Sequence, residues 1–230
     1  MTVGGRFDVV VVGGRVAGAP TAMLLARRGL RVALVDRARL PSDTVSSHQL
    51  QVPAAAALRR WGLLDAASGD GGCVTERVRL QIGDVRMTGR LPTVDGVSCI
   101  LSPRRDRLDG LLLAEAVRAG VEVHLGFSLD EVLLVDGRAT GVRGRLRRGP
   151  KVTLRADLVV GADGKSSTVA RHVGARVIRH RESATLAQYA YWSDLPTPHA
   201  ELVHGAGRAA AAFPTDHGLT VTFAAVAADA

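Results

Sequence analysis

Apolar residues near the N-terminus follow the pattern of a strand, a helix and a second strand. Val9–Val12 is a continuous β-branched run, typical of a strand that is buried on both faces. Apolar residues then recur at helical spacing over Val16–Arg28, and Gly29 ends the predicted helix. Arg31–Val35 is a second short apolar strand, which ends at Asp36. The pattern therefore predicts a βαβ unit with two parallel strands and a right-handed crossover.

The pattern then continues with helices and strands and becomes strand-rich after Arg181. Helices are predicted over 53–61 and 105–118, and single strands over 121–125 and 157–161. Two hairpins are predicted over 76–91 and 129–147, turning at Gly83-Asp84 and Asp136-Gly137. Further strands are predicted near 185–192, 201–204, 208–213 and 219–226. The first part of the chain is therefore predicted to mix helices with strands, and the part after Arg181 to consist mainly of strands.

Composition and charge argue against a nucleic-acid partner. Hydrophobic residues make up 47% of the 230 residues and charged residues 23%, as in ordinary globular proteins. The net charge of +8 comes almost entirely from arginines spread along the chain, since Lys151 and Lys165 are the only lysines. Aromatic residues are only 3%, too few to provide stacking platforms for bases. We therefore expect no nucleic-acid partner.

Membrane insertion and metal binding are not indicated either. No apolar run approaches the length that a membrane span needs, and no secretory signal pattern is present. Cys73 and Cys99 match neither a metal-binding nor a redox spacing. The histidines His199, His204 and His217 lack metal-ligand spacing. We therefore expect a cytoplasmic protein with reduced thiols, without a metal site or stable membrane insertion.

Gly13, Gly14, Arg15, Ala17 and Gly18 occupy the predicted strand-to-helix turn, where a G-x-G-x-x-G motif would lie. Gly13 permits a sharp exit from the strand, and Gly18 lets the helix pack close to the sheet. The free N–H groups at the helix N-terminus then attract a pyrophosphate. This turn therefore predicts a dinucleotide site of the Rossmann type.

Charged residues around this turn refine the prediction. Asp36 is placed to accept hydrogen bonds from an adenosine ribose, and it would repel a 2′-phosphate, so FAD or NAD fits better than NADP. Arg15 replaces the second glycine of the motif; it either turns outward or adds a charge-assisted contact to the pyrophosphate. Arg37 is either solvated or in contact with the adenosine end. All three belong to the candidate cofactor site.

Two further motifs resemble those of one flavoprotein superfamily. Gly161-Ala162-Asp163-Gly164 with Ser167 and Val169 resembles the G-A-D-G-x-x-S-x-V segment of the p-hydroxybenzoate hydroxylase-like flavoproteins, which include the geranylgeranyl reductases. Arg105 to Leu108 resembles the R-x-x-L start of a helix whose arginine contacts FAD in that superfamily. The stretches 42–48 and 58–65 resemble its reductase-like branch, which tolerates arginine at the position of Arg15. The resemblance covers residues 7–180.

The resemblance implies an α/β fold with a Rossmann-type FAD-binding domain, a parallel central sheet and a β-rich substrate domain. We expect the FAD-binding domain to comprise 1–75 and 103–180, and the substrate domain 76–102 and 181–230. The resemblance implies that Asp163 lies near the ribose and pyrophosphate region of the flavin cofactor, with Gly161 and Gly164 letting the backbone fold tightly against it, and Ser167 is suited to cap the next helix. The family's later G-D motif has no match before Ala230, so the chain is expected to be incomplete at its C-terminus.

The resemblance also implies an activity: an FAD-dependent oxidoreductase that NADH or NADPH reduces. The enzyme would then either hydroxylate a small organic substrate through oxygen or reduce an isoprenoid-like double bond. The alternative is a truncated or degenerate dinucleotide-binding module without activity of its own. No catalytic residue is assigned; His48 is either near the flavin or simply packed, and Tyr189 and Tyr191 face either a substrate pocket or the core. The oligomeric state is not predicted.

Overall fold

The computed structural model describes residues 3–42, 44, 46, 49–147, 149–182 and 185–228. Contacts between residues divide the chain into two compact units, Met1–Thr44 with Arg105–Ile178 and Val45–Arg104 with Arg179–Ala230. The sequence-based division differs at 103–104, at 179–180 and over the segment 45–75, all of which it joined to the first unit. This segment packs within the second unit because its helix contacts the strand at 100–101 and its strand at 74–75 pairs there. His48 and the residues at 43, 45 and 47 lie outside the described residues.

The first unit contains the predicted βαβ element and a sheet with a parallel centre. Six strands of its described residues form the sheet in the order β7-β2-β1-β10-β9-β8, of which β7, β2, β1 and β10 run parallel. The elements are β1 (Val3–Val12), α1 (Gly18–Ala26), β2 (Val32–Asp36), α4 (Arg105–Arg118), β7 (Glu122–Leu125), β8 (Phe127–Val135), β9 (Arg138–Leu146), β10 (Lys151–Gly161) and α5 (Thr168–His172). The α/β fold with a parallel central sheet is thereby confirmed.

Burial of the central strands explains their sequences. Val10 and Val11 of β1 and Ala33 and Leu34 of β2 are fully buried, which agrees with apolar runs covered on both faces. β10 begins six residues before the predicted strand, because its first half alternates between buried and exposed residues and pairs with β9 as well as β1. In the β8–β9 turn, Asp136 (φ 49°) and Gly137 (φ 76°) are both left-handed, as a type I′ hairpin turn requires.

The second unit is dominated by an extended, mostly antiparallel sheet. Within the described residues its strands follow the order β11-β14-β13-β12-β4-β5, and only the β12–β4 pair is parallel. Its elements are α2 (Val52–Trp61), α3 (Leu64–Ser68), β3 (Val74–Thr75), β4 (Arg77–Ile82), β5 (Val85–Arg90), β6 (Ile100–Leu101), β11 (Thr185–Trp192), β12 (Ala200–Gly205), β13 (Arg208–Pro214), a 3₁₀ turn (Asp216–Gly218) and β14 (Thr220–Ala227). The hairpin around Gly83-Asp84 is confirmed.

Tyr189 and Tyr191 pack against the core of the second unit. Their rings make an edge-to-face contact with centroids 5.6 Å apart, and the Arg104 guanidinium lies 4.9 Å from the Tyr191 centroid. Both tyrosines are partly buried against a cluster built from Val52, Ile100, Ala200, Phe213 and Val221. This packing supports the core interpretation of the two tyrosines over the pocket-lining one.

Candidate functional site

The predicted motifs meet at one edge of the first sheet. Strands β2, β1 and β10 are neighbours and parallel, so their carboxyl ends, Asp36, Val12 and Gly161, lie side by side. The Gly13 amide donates to the Val35 carbonyl (2.8 Å), and the Ala162 amide donates to the Val12 carbonyl (2.7 Å). The Gly-rich turn, Asp36 and the Gly161–Gly164 segment therefore converge where ligands of open α/β sheets bind.

Gly13 and Gly18 occupy positions that exclude a side chain. Gly13 has a φ of +106°, and a Cβ there would overlap the carbonyl group of Ala162. A Cβ on Gly18 would overlap the carbonyl oxygen of Gly13. The two glycines thus let the turn lie against the segment after β10 and let α1 begin directly over it.

The N-terminus of α1 is a candidate position for an anion. Ala17 is its N-cap residue, and among the described residues no side chain caps this helix and its first turn carries no acid. Ala17 is exposed, whereas Gly18 is buried. The Ala19 amide already donates to the Arg15 carbonyl (2.9 Å) and Pro20 has no N–H, so the positive end of the helix dipole and the amides of the turn before α1 are what favour a phosphate group at this point.

The Asp36 carboxylate is held by the backbone on both oxygens. Oδ2 accepts from the Gly14 amide (2.6 Å), and Oδ1 accepts from the Ala38 amide (2.7 Å). Each carboxylate oxygen has a second lone pair, so the group can still accept from a ribose hydroxyl. The neighbouring Arg37 is exposed. Asp36 is thus oriented in advance beside the Gly-rich turn, as a sugar-binding carboxylate needs to be.

Arg15 adopts an arrangement that the sequence did not predict. Its guanidinium donates to Oδ2 of Asp109 (2.8 Å) and to Oγ of Ser42 (2.9 Å). Arg105 donates to both oxygens of the same carboxylate, through Nε (3.2 Å) and Nη2 (3.1 Å to each oxygen). The Asp109 side chain is 0% exposed. Arg15 therefore does not simply turn outward; it belongs to a partly buried cluster with Asp109 and Arg105.

Sequence reasoning missed Asp109 and misjudged part of its helix. The apolar Val117 of α4 is 53% exposed, whereas the charged Asp109 is buried, as are Leu108 and Leu112 of the same helix. The i,i+4 spacing of Arg105 and Asp109 could have identified the pair on the helix surface. Its burial could not be foreseen, because it depends on Arg15 reaching across from the turn before α1.

Asp163 organises the segment that follows β10. Its Oδ1 accepts from the Ser167 hydroxyl (2.6 Å), and its Oδ2 accepts from the amides of Thr168 (2.6 Å) and Val169 (3.1 Å). The Ser167 hydroxyl accepts from the Ala170 amide (3.0 Å), so its predicted capping role is confirmed. Gly161 and Gly164 are both exposed beside this network. The aspartate thus fixes the loop whose backbone lies against Gly13.

The protonation of Asp163 follows from its surroundings. Burial by itself raises the pKa of this carboxyl. The hydrogen bonds from the Ser167 hydroxyl and from the amides of Val169 and Thr168 favour the ionised form more strongly, and the net pKa lies below the usual value. The carboxylate therefore stays charged at neutral pH.

The Asp163→Asn variant tests this network through acid stability. A carboxyl with a lowered folded-state pKa stabilises the fold above its unfolded pKa of about 4, and this contribution is lost as the pH falls towards the lower folded value. Near neutral pH we expect the free energy of unfolding of the variant to be about 1 kcal/mol lower than that of the unsubstituted chain, the usual value for a lost helix cap. Below about pH 4 the difference between the two is expected to shrink, because the unsubstituted chain loses the contribution of the carboxylate. Urea unfolding at several pH values measures both; equal pH profiles would contradict the assignment.

Comparison with known proteins identifies the family. Residues 6–219 match the family described as FAD binding domain, which is most of the chain. The chain belongs to this FAD-binding family. The resemblance to the hydroxylase and reductase flavoproteins that the sequence indicated is thereby confirmed.

Relatives of this FAD-binding chain include both hydroxylases and reductases. It is 36% identical over 208 residues to the 6-methylpretetramide 4-monooxygenase of Streptomyces rimosus, covering 85% of this chain and 46% of the relative. It is 28% identical over 180 residues to a digeranylgeranylglycerophospholipid reductase of Methanothrix thermoacetophila, covering 74% of this chain and 42% of the relative. The chain thus spans somewhat less than half the length of these relatives.

Solved structures agree with the fold of the FAD-binding family. The myxobacterial chondrochloren halogenase CndH superposes with a TM-score of 0.84 at 26% identity, covering 97% of this chain and 53% of the halogenase chain. A geranylgeranyl bacteriochlorophyll reductase-like protein from Thermoplasma acidophilum superposes with a TM-score of 0.80 at 18% identity, covering 98% of this chain and 58% of that chain. The second likeness shows the fold alone.

The residues at the sheet edge fit the cofactor that this family binds. Gly13 and Gly18 let the turn pack against the Ala162 carbonyl and let α1 begin over the Gly13 carbonyl, and the start of α1, which no described side chain caps, suits a diphosphate. Asp36 is an oriented acceptor whose geometry suits a ribose hydroxyl, and Arg15 and Arg105 supply positive charge. The donor set is therefore that of a site for an anionic dinucleotide.

One cavity and the two cysteines of the FAD-binding chain do not involve the predicted site residues. A cavity of about 500 Å³ is lined by second-unit residues that include Arg59, Asp65, Glu76 and Cys99, and it contains none of the predicted site residues. Burial, and secondly the charge of Glu76, raise the pKa of the Cys99 thiol, so this cysteine is not primed as a thiolate. Cys73 and Cys99 form no disulfide bond with each other.

Length and apolar character sufficient to cross a bilayer do not occur together in any helix of the part that the structure describes.

Proposed function

We propose that this chain is the FAD-binding part of an FAD-dependent monooxygenase that uses NADH or NADPH as a transient reductant. FAD, when bound, supplies the redox chemistry, and the protein supplies its binding and orientation. The substrate is a small organic molecule, as it is for the hydroxylase relatives by their names. The observation that carries the proposal is the convergence of the Gly-rich turn, Asp36 and the Gly161–Gly164 segment at one sheet edge.

Each candidate residue has a role in this proposal. Gly13, Gly14, Ala17 and Gly18 receive the diphosphate at the start of α1, and Asp36 accepts hydrogen bonds from the adenosine ribose. Arg37, exposed next to Asp36, contacts the adenosine end. Arg105 donates to the cofactor with Arg15 beside it, and Gly161, Asp163 and Gly164 line the other side of the diphosphate. No side chain of the chain is assigned a covalent or acid–base role.

A second candidate is a reductase that transfers hydride from reduced flavin to an isoprenoid-like double bond. The observation that favours it is the 28% identity to the digeranylgeranylglycerophospholipid reductase. The hydroxylase is preferred because the monooxygenase relative is 36% identical over a longer stretch. Both candidates use the same cofactor site.

Visible spectroscopy and gas exchange test the proposal in two stages. The purified chain is expected to be yellow, or to become yellow with added FAD, and to release FAD on heating. NADH or NADPH oxidation coupled to oxygen uptake supports the monooxygenase, whereas anaerobic reduction of an alkene supports the reductase. A colourless chain that cannot be reconstituted with FAD contradicts both and indicates a dinucleotide-binding remnant instead.

A further inference from the structure

One buried carboxylate in the first unit is shared by two arginines from different elements. Asp109 of α4 is 0% exposed, and its oxygens accept from Arg15 in the Gly-rich turn and from Arg105 at the start of α4. An isolated buried carboxylate would be strongly unfavourable, and two guanidinium groups compensate it. The cluster of two guanidinium groups and one carboxylate therefore has a net charge of +1.

The geometry leaves one edge of Arg105 available. Nε and Nη2 of Arg105 both donate to Asp109, which is the two-point grip that a guanidinium fork allows. Its Nη1 makes no hydrogen bond to any residue that the structure describes, although the side chain is only 13% exposed. Asp109 therefore fixes one edge of the guanidinium and leaves the other edge with free donors.

Arg15 connects this cluster to the phosphate-binding turn. Its Nη1 lies 2.8 Å from the same Asp109 oxygen that accepts from Arg105, and its Nη2 lies 2.9 Å from the Ser42 hydroxyl. Arg15 and Arg105 are consequently held together by one carboxylate oxygen, and Arg15 belongs to the Gly-rich turn. Excess positive charge with a preset orientation, beside a helix N-terminus, suits an anionic group.

We infer that Asp109 is a positioning residue of the cofactor site, which holds Arg105 and Arg15 so that Nη1 of Arg105 donates to an anionic group of the bound dinucleotide. The inference rests on the proposed function, since the dinucleotide is FAD. Asp109 itself touches no cofactor atom. It acts by setting the orientation of the two guanidinium groups and by limiting the net charge of the cluster to +1.

The test compares FAD affinity in the Asp109→Asn variant with that in a matched control. Asparagine keeps the shape of the side chain but removes the charged carboxylate to which Arg15 and Arg105 donate, and the net charge of the cluster rises from +1 to +2. FAD affinity, measured by flavin fluorescence quenching, is expected to fall roughly tenfold or more at an ionic strength of about 0.15 M, because oriented hydrogen bonds are replaced by screened attraction. At about 0.01 M the loss is expected to be clearly smaller.

Glu115→Gln is the control, because Glu115 lies on the same helix and also pairs with two arginines, Arg27 and Arg118. Neither arginine belongs to the Gly-rich turn, so FAD affinity is expected to stay within about twofold of the unsubstituted chain. Unchanged affinity in Asp109→Asn would overturn the inference. So would a loss that is equal at both ionic strengths, because general loosening of the fold would produce that result.

Arg105→Lys provides a second variant that leaves the buried carboxylate paired with Arg15. Lysine keeps the charge but cannot grip Asp109 with two nitrogens and donate with a third. The inference predicts a loss of roughly tenfold in FAD affinity for Arg105→Lys, and unchanged affinity overturns the inference. This test remains valid even where Asp109→Asn does not fold. If the unsubstituted chain binds no FAD, the proposed function itself fails, which is a different result from normal binding in all three variants.

Discussion

Replacement of Gly18 with alanine is expected to weaken FAD binding strongly and to destabilise the first unit. The added Cβ would overlap the Gly13 carbonyl oxygen, which is backbone and cannot move aside as a flexible side chain could. Overpacking of this kind costs about 1–3 kcal/mol, and the shift of α1 that relieves it removes the amides from the diphosphate. We expect affinity to fall on the order of 100-fold, equivalent to the loss of a strong charge-assisted hydrogen bond.

Gly89→Ala is the matched control for this substitution. Gly89 lies in β5, and a Cβ there would meet nothing within 4 Å. Alanine in a strand is at least as favourable as glycine, so the free energy of unfolding is expected to change by less than about 0.5 kcal/mol. Urea unfolding and FAD titration measure both variants. Normal FAD affinity in Gly18→Ala would remove the start of α1 from the site.

Asp36→Ala is expected to weaken FAD binding by about 1–3 kcal/mol, the range for losing a charged hydrogen-bonding partner. The substitution also leaves the buried Gly14 amide without its acceptor, so some loss of folding stability is expected in addition. Because the ribose belongs to the adenosine half, ADP used as a competitor should lose affinity by a similar factor. Calorimetric titration with FAD and with ADP measures both losses.

Asp8→Ala separates the two effects of Asp36→Ala. The Asp8 carboxylate also accepts from a backbone amide, that of Arg31 (2.7 Å), but it lies where the pairing of β1 with β2 begins, and Asp36 lies at the other end of β2. Its replacement is expected to reduce stability without changing the affinity for FAD or ADP. If Asp36→Ala and Asp8→Ala behave alike in both titrations, Asp36 has no place in the ribose site.

Local pattern was sufficient for most elements of the fold. The βαβ unit follows from a β-branched run, a helical period and a second apolar run, and the β8–β9 turn follows from Asp136-Gly137, two residue types that tolerate a left-handed backbone. The first half of β10 was missed, because Lys151–Arg155 alternates polar and apolar residues and becomes a strand only through its two neighbours. Strand pairing of that kind is a long-range property.

The candidate site divides in the same way. Gly13, Gly18 and Asp36 are evident from the sequence, because a tight turn, a close helix and a sugar-binding carboxylate each demand a particular residue type at a fixed place after a strand. Asp109 and its two arginines were decided only by the tertiary structure, since Arg15 and Asp109 are distant in sequence and meet where α1 packs against α4. A buried charge is stable only with its partners in place, and no local pattern specifies partners that arrive from another element.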